Sequence, residues 1–319
     1  MRYPVLSGFR PATLGLALLL AAPACTSRVG QPGTAGANKQ EVSPVAAGAT
    51  PQLLARQFSF TEGPAPDRAG NVYFTDQPHN QIWRYDFGTQ KLGVFLEPAG
   101  RSNGLYFDGQ GNLLACADGQ NELWSIAPDE TVTVLLRDAG GRTLNGPNDL
   151  WVNPKTQGIY FTDPYYQRPY WTRQAPDSLL GGRHVYYLPP GQSQPVQVAD
   201  QLRQPNGIIG TPDGRTLYVA DIEANQTYRY DIGPTSRLSN RQPFAPLGSD
   251  GMTLDREGNV YLTGDGVTVY SPAGKLLAHI ALPEKWTANV CFAGPDRKTL
   301  FITASEGVYL LAMRVAGAQ

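Results

Sequence analysis

Pro205-Asn206-Gly207-Ile208-Ile209-Gly210-Thr211-Pro212-Asp213-Gly214-Arg215-Thr216-Leu217-Tyr218-Val219-Ala220-Asp221 reads as two strands around a tight turn. Asp213-Gly214 suits the turn, because Asp bonds its own backbone and Gly accepts positive φ. The second strand ends in an acid, and the oxygen-bearing Asn206 stands about 15 residues before it. The same unit recurs. Its openings are Glu62-Gly63-Pro64, Asn103-Gly104-Leu105, Asn148-Asp149-Leu150, Asp250-Gly251-Met252 and Asn289-Val290-Cys291. Its second strands are Tyr73-Phe74-Thr75-Asp76, Ala115-Cys116-Ala117-Asp118, Tyr160-Phe161-Thr162-Asp163, Tyr218-Val219-Ala220-Asp221, Tyr261-Leu262-Thr263-Gly264-Asp265 and Phe301-Ile302-Thr303-Ala304-Ser305. A repeat of about 40–45 residues built from strands is the mark of a β-propeller. The expected fold is all-β: a six-bladed β-propeller with four-stranded blades around a central channel, spanning residues 53–319. The last copy leaves little room for an outer strand, so residues near Gln52 to Phe60 are expected to supply it and close the ring.

In such a ring the inner strands face one axis, so six polar residues converge: Glu62, Asn103, Asn148, Asn206, Asp250 and Asn289. Asn-Gly and Asp-Gly are common turn pairs, and a single copy would carry no more meaning than that. Glu62 is a poor turn former, yet it shares the phase. No His or Cys occupies any of the six positions, and zinc or copper would favour nitrogen and sulfur ligands. Carboxylates and amide oxygens suit one divalent cation, Ca2+ first, with Mg2+, Mn2+ and Zn2+ as alternatives.

Charge is balanced, with 26 Lys and Arg against 27 Asp and Glu, and no basic stripe, so nucleic acid is not an expected partner. Arg2, Arg10, the apolar run Leu14 to Ala22 and the small residues Ala22-Pro23-Ala24 read as a signal peptide over residues 1–24. Cys25 follows directly, where a bacterial lipoprotein is cut and acylated, although Ala22 stands where such signals usually carry Leu. The alternative is an ordinary secretory signal. Residues 25–52, poor in large apolar side chains, read as a tether. The expected location is therefore exported: periplasmic, or a membrane-anchored lipoprotein whose only membrane contact is a lipid on Cys25. Cys116 and Cys291 fall in different blades and read as core residues. The interval between Asp163 and Asp221 is longer than the others. Its surplus, Tyr165 to Gly182, is aromatic and proline-rich and is expected to form a lid near Asn148. A serine-hydrolase route lacks its Gly-x-Ser-x-Gly elbow.

Glu62-Gly63-Pro64, Pro147-Asn148-Asp149, Pro205-Asn206-Gly207, Asp250-Gly251-Met252 and Gly294-Pro295-Asp296-Arg297-Lys298-Thr299-Leu300 together resemble the gluconolactonase / senescence-marker-protein-30 (regucalcin) / luciferin-regenerating-enzyme family. The last motif resembles its gluconolactonase branch. The resemblance covers roughly residues 55 to 315. It implies hydrolysis of lactones or related esters, and a single divalent cation, usually calcium, held by Glu62, Asn148, Asn206 and Asp250. Asn103 and Asn289 are expected to contact substrate, together with Asp149 and Tyr165. Asp250 is the candidate base for the attacking water, with metal-bound hydroxide as its rival. Regucalcin-like members carry an arginine two residues before the Asn148 position, where this chain has Gly146. That departure leaves the sugar-acid lactone open as the specific substrate. The partner is a small-molecule lactone, and the expected state is a monomer or weak dimer. The competing reading is a calcium-binding, non-enzymatic propeller scaffold at the cell envelope.

Overall fold

The structure is a computed structural model and describes residues 43–171 and 181–319. The expected signal peptide, Cys25 and the central part of the expected lid lie outside these residues. Six antiparallel four-stranded sheets make six blades. From the inner strand outward, blade 1 is Thr61–Pro66, Val72–Asp76, Gln81–Asp86 and Lys91–Leu96. Blade 2 is Leu105–Phe107, Leu113–Ala117, Glu122–Ile126 and Val132–Leu136. Blade 3 is Leu150–Val152, Ile159–Asp163, His184–Leu188 and Val196–Ala199. Blade 4 is Pro205–Gly210, Thr216–Asp221, Gln226–Ile232 and Leu238–Ala245. Blade 5 is Met252–Leu254, Val260–Gly264, Gly266–Tyr270 and Leu276–Ile280. Blade 6 is Thr287–Ala293, Thr299–Ala304 and Gly307–Ala312, closed by the early strand Gln52–Ala55, which pairs antiparallel with Gly307–Ala312. Closure by the two ends of the domain therefore follows the sequence expectation.

Second strands are almost wholly buried, because each is covered by a blade on either face. Large side chains such as Trp151, Tyr160, Phe74, Phe301 and Tyr261 fill the wedges between blades. Cys116 and Cys291 are buried free thiols, as core residues should be. Part of the segment read as a tether instead docks on blade 6. Val45 bridges Met313, and the Ala46 amide donates to the Ala312 carbonyl at 3.2 Å. Arg314 reaches back, its Nε donating to the Ser43 carbonyl at 2.9 Å. The small side chains of residues 43–50 hide this, since backbone groups make most of the attachment.

Candidate active site

The repeat positions the axial residues through two devices. The first is the acid or hydroxyl that ends the second strand. In blade 3 the Asp163 carboxylate accepts the Asn145 amide at 2.9 Å and the Gly146 amide at 2.8 Å. In blade 4 Asp221 accepts Arg203 at 2.8 Å and Gln204 at 2.9 Å. In blade 1 Asp76 accepts Ser59 and Phe60. In blade 6 Ser305 Oγ accepts the Trp286 amide at 3.2 Å. Each contact pins the loop just before an axial residue. The threonine preceding the acid adds a bond to the axial segment itself: Thr303 Oγ1 accepts the Asn289 amide at 3.1 Å, and Thr263 Oγ1 accepts the Gly251 amide at 2.8 Å.

The second device is the glycine after the axial residue. A Cβ on Gly63 would lie 2.2 Å from the Asn103 carbonyl oxygen, and one on Gly251 would lie 1.9 Å from Asn289 Cγ. These glycines let neighbouring inner strands crowd together around the axis. The repeated Asn-Gly and Asp-Gly pairs are thus a packing requirement of the channel as well as a turn signal.

Glu62, Asn103, Asn148, Asn206, Asp250 and Asn289 are all buried, none more than 9% exposed. Asn206 Nδ2 donates to Asp250 Oδ1 at 2.7 Å, joining blades 4 and 5. Asn289 Nδ2 donates to Glu62 Oε2 at 3.1 Å, joining blades 6 and 1. Glu62 and Asp250 are close enough for the charge of Asp250 to act on Glu62. Burial pushes the Glu62 carboxyl well above the usual glutamate range, and the Asp250 charge adds to that. Burial also raises Asp250, against hydrogen bonds from Trp286 and Asn206 and the charge of Arg168. Asp149, the next residue after Asn148, is raised to about 7, mainly by burial. It lines a small axial cavity of about 40 Å³ with Leu105, Met252, Asn289 and Cys291. Two carboxyamide oxygens in the ring, Asn103 Oδ1 and Asn206 Oδ1, are buried with no hydrogen-bond donor. Among the described residues no three His, Cys, Asp or Glu side chains gather as a metal cluster. The oxygen set here is two carboxylates with carboxamides.

Three residues that sequence reasoning passed over join the site. Trp286 Nε1 donates to Asp250 Oδ2 at 2.6 Å. Asn206 Nδ2 also donates to the Tyr166 hydroxyl at 2.8 Å. The Arg168 guanidinium lies 4.8 Å from the Tyr166 ring centroid and 5.7 Å from that of Phe60. Tyr165 sits differently from the expectation. Its side chain is buried with the hydroxyl on Gln167, and its carbonyl accepts Gln204 Nε2 at 3.0 Å. Tyr166 touches the ring through Asn206. The repeat phase could have exposed Trp286, which stands three residues before Asn289 as Ser59 stands before Glu62. The described part of the lid does cross the mouth: it leaves blade 3, meets blade 4 at Asn206, and meets blade 1 where the Tyr170 hydroxyl donates to Gln77 Oε1 at 2.6 Å.

One Ser-His-Asp arrangement also occurs at the rim. His79 Nδ1 lies 2.7 Å from Asp76 Oδ2, and its Nε2 lies 3.3 Å from Ser59 Oγ. The Ser59 and Phe60 amides, which could have served as oxyanion donors, are turned onto Asp76. The arrangement fastens the loop before Glu62.

Residues 60–306 match the family described as SMP-30/Gluconolactonase/LRE-like region. The chain belongs to this family. Among family relatives, the gluconolactonase of Zymomonas mobilis is 28% identical over 303 residues, covering 83% of this chain and 82% of that protein. The pentonolactonase XacC of Haloferax volcanii is 32% identical, covering 77% of this chain and 81% of its own length. A solved gluconolactonase from Xanthomonas campestris superposes with a TM-score of 0.78 at 28% identity, covering 85% of this chain and 91% of that one. The solved structure shares the fold of this chain, and the names of all three concern lactones.

Proposed function

We propose that this chain is a lactone hydrolase of the gluconolactonase type that works with one divalent cation, Ca2+ in the first instance. The observation that carries the reading is the meeting of Glu62 and Asp250 in a buried ring beside Asn206 Oδ1, which has no donor among the described residues. Two facing carboxylates in such a place cannot both stay ionised without a counter-charge. An amide oxygen left without a donor is costly unless something else binds it. A hard cation answers both demands, so the donor set fits the group that the family resemblance implies. Glu62, Asp250, Asn206 and Asn148 would hold it. When bound, it supplies polarisation of an acyl oxygen and compensation of negative charge.

Asp250 is the residue placed to accept the proton of the attacking water. Its two oxygens are oriented by Asn206 and Trp286, from blades on either side. Burial raises its proton affinity above that of a solvated aspartate, and a bound cation would oppose that shift and keep the carboxylate ionised, as a base must be. The water oxygen bonds to the acyl carbon, the acyl–oxygen ring bond breaks, and the ring oxygen takes a proton to leave as an alcohol. No oxidant or reductant is needed. The family relatives named for lactones support the substrate class.

The test is hydrolysis of a panel of aldonolactones by the purified protein, with chelator and then with calcium restored. Turnover that chelation abolishes and calcium restores supports the reading. Calcium binding without turnover on any lactone would favour the scaffold. We also propose export, with acylation of Cys25 as the anchor. Cys25→Ser should then lose its lipid label and leave the membrane fraction.

A further inference from the structure

We propose that Arg168 is the anion-binding residue of this site, holding from the lid side the carboxylate that ring opening creates. The inference rests on the lactone-hydrolase reading for its reaction. Three observations on the lid carry it. The guanidinium lies over the Tyr166 ring and within reach of the Phe60 ring, two cation–π contacts that hold it at the mouth. Tyr166 is in turn fixed to the ring by Asn206, so the arginine is tied to the site and not to the outer surface. Arg168 makes no ion pair among the described residues, and its Nε is buried with no acceptor.

A fixed guanidinium with unused donors is a ready-made carboxylate fork. Arg101, the other lid-facing arginine, does not compete for the role, because its NH1 already donates to the Pro78 carbonyl at 2.8 Å. The charges also fit. Two ring carboxylates balance one divalent cation, so with the cation bound the Arg168 charge, which otherwise acts on Asp250, is not needed there. A neutral lactone brings no charge to meet it. Negative charge grows only as water adds and the ring opens, so the arginine favours the later species over the ground state.

Arg168→Gln and Arg168→Lys test this in the full chain with calcium, on glucono-lactone, with D-gluconate as the carboxylate probe. Losing a charge-assisted hydrogen bond should lower kcat about ten- to a hundredfold while KM shifts far less. Gluconate binding, read by calorimetry, should weaken by about tenfold or more in Arg168→Gln, with Arg168→Lys in between. Wild-type Tm in both variants shows that the lid still packs. Equal gluconate affinity in wild type and Arg168→Gln, or no gluconate binding by wild type, overturns the proposal. If wild type hydrolyses no lactone yet binds gluconate through Arg168, the anion site stands and the lactonase reading falls.

Discussion

Blade 5 carries two buried aspartates of opposite character, Asp250 at the axis and Asp255 in the turn five residues later. Asp255 is 1% exposed and every bond it makes comes from its own blade. Its Oδ1 accepts the Glu257 and Asn259 amides, at 2.9 and 3.0 Å, and its Oδ2 accepts Asn259 Nδ2 and the Tyr261 hydroxyl, both at 2.8 Å. Asp67 with Asn71 and Asp108 with Asn112 repeat the pattern in blades 1 and 2. Asp250 is 9% exposed, but its donors come from blades 4 and 6, and a second carboxylate faces it. Burial alone therefore does not separate a structural acid from a working one. The source of the donors does: a turn acid is satisfied locally, whereas the axial acid is held by side chains that need the whole ring.

The sharpest test of that contrast is Asp250→Asn. It keeps an oxygen and the shape, but it cannot take a proton as a carboxylate does. Turnover on lactone should fall by ~10²–10⁴-fold at saturating calcium, with Tm near that of wild type. Near-native turnover under saturating calcium would reduce Asp250 to a ligand.

The reciprocal variant, Asp255→Ala, should move stability and spare chemistry. It strands the Tyr261 hydroxyl and three N–H donors, costing about 2–4 kcal/mol. That corresponds to a fall in Tm of roughly 3–8 °C for a domain of this size. The surviving folded fraction should keep its kcat. Lost kcat with unchanged Tm would erase the distinction between the two aspartates.

A third outcome concerns charge. Without cation, Glu62 is protonated more readily in the fold than in the unfolded chain, and Asp149, raised to about 7, shares the direction. Raised acids contribute stability below their unfolded pKa and lose it as pH climbs through the folded pKa. The chelated protein should therefore lose Tm between about pH 4 and pH 7, and the Tm gained from calcium should grow over the same interval. A calcium gain that is flat with pH would place the cation away from these carboxylates.

Much of this was legible in the sequence, because a propeller repeats its physics. The strand-terminal Asp76, Asp163 and Asp221 and the axial glycines recur in phase, so the blades and the axial ring could be read from one unit. What repeats least was hidden. Asp265 is exposed, and in blade 5 Ser249 takes over, its Oγ accepting the Thr263 amide at 2.7 Å. Tyr166 and Arg168 reach the ring from a loop whose course no period encodes. The docking of residues 43–50 is likewise a matter of backbone bonds, which composition does not show.

The smallest expected effect comes from the loop residue at the heart of the contrast. Trp286→Phe keeps the ring at the mouth and removes the N–H that meets Asp250 Oδ2 at 2.6 Å. That bond stabilises the charged carboxylate, so its loss should raise the proton affinity of Asp250 further. The acid limb of the pH–rate profile should move to higher pH. Trp286 is 36% exposed, so water can take the vacated place. Turnover at the pH optimum should then drop only about three- to tenfold, below the full worth of a charged hydrogen bond. A Tm loss with no movement of the acid limb would make Trp286 a packing residue, and the axial aspartate would rest on Asn206 alone.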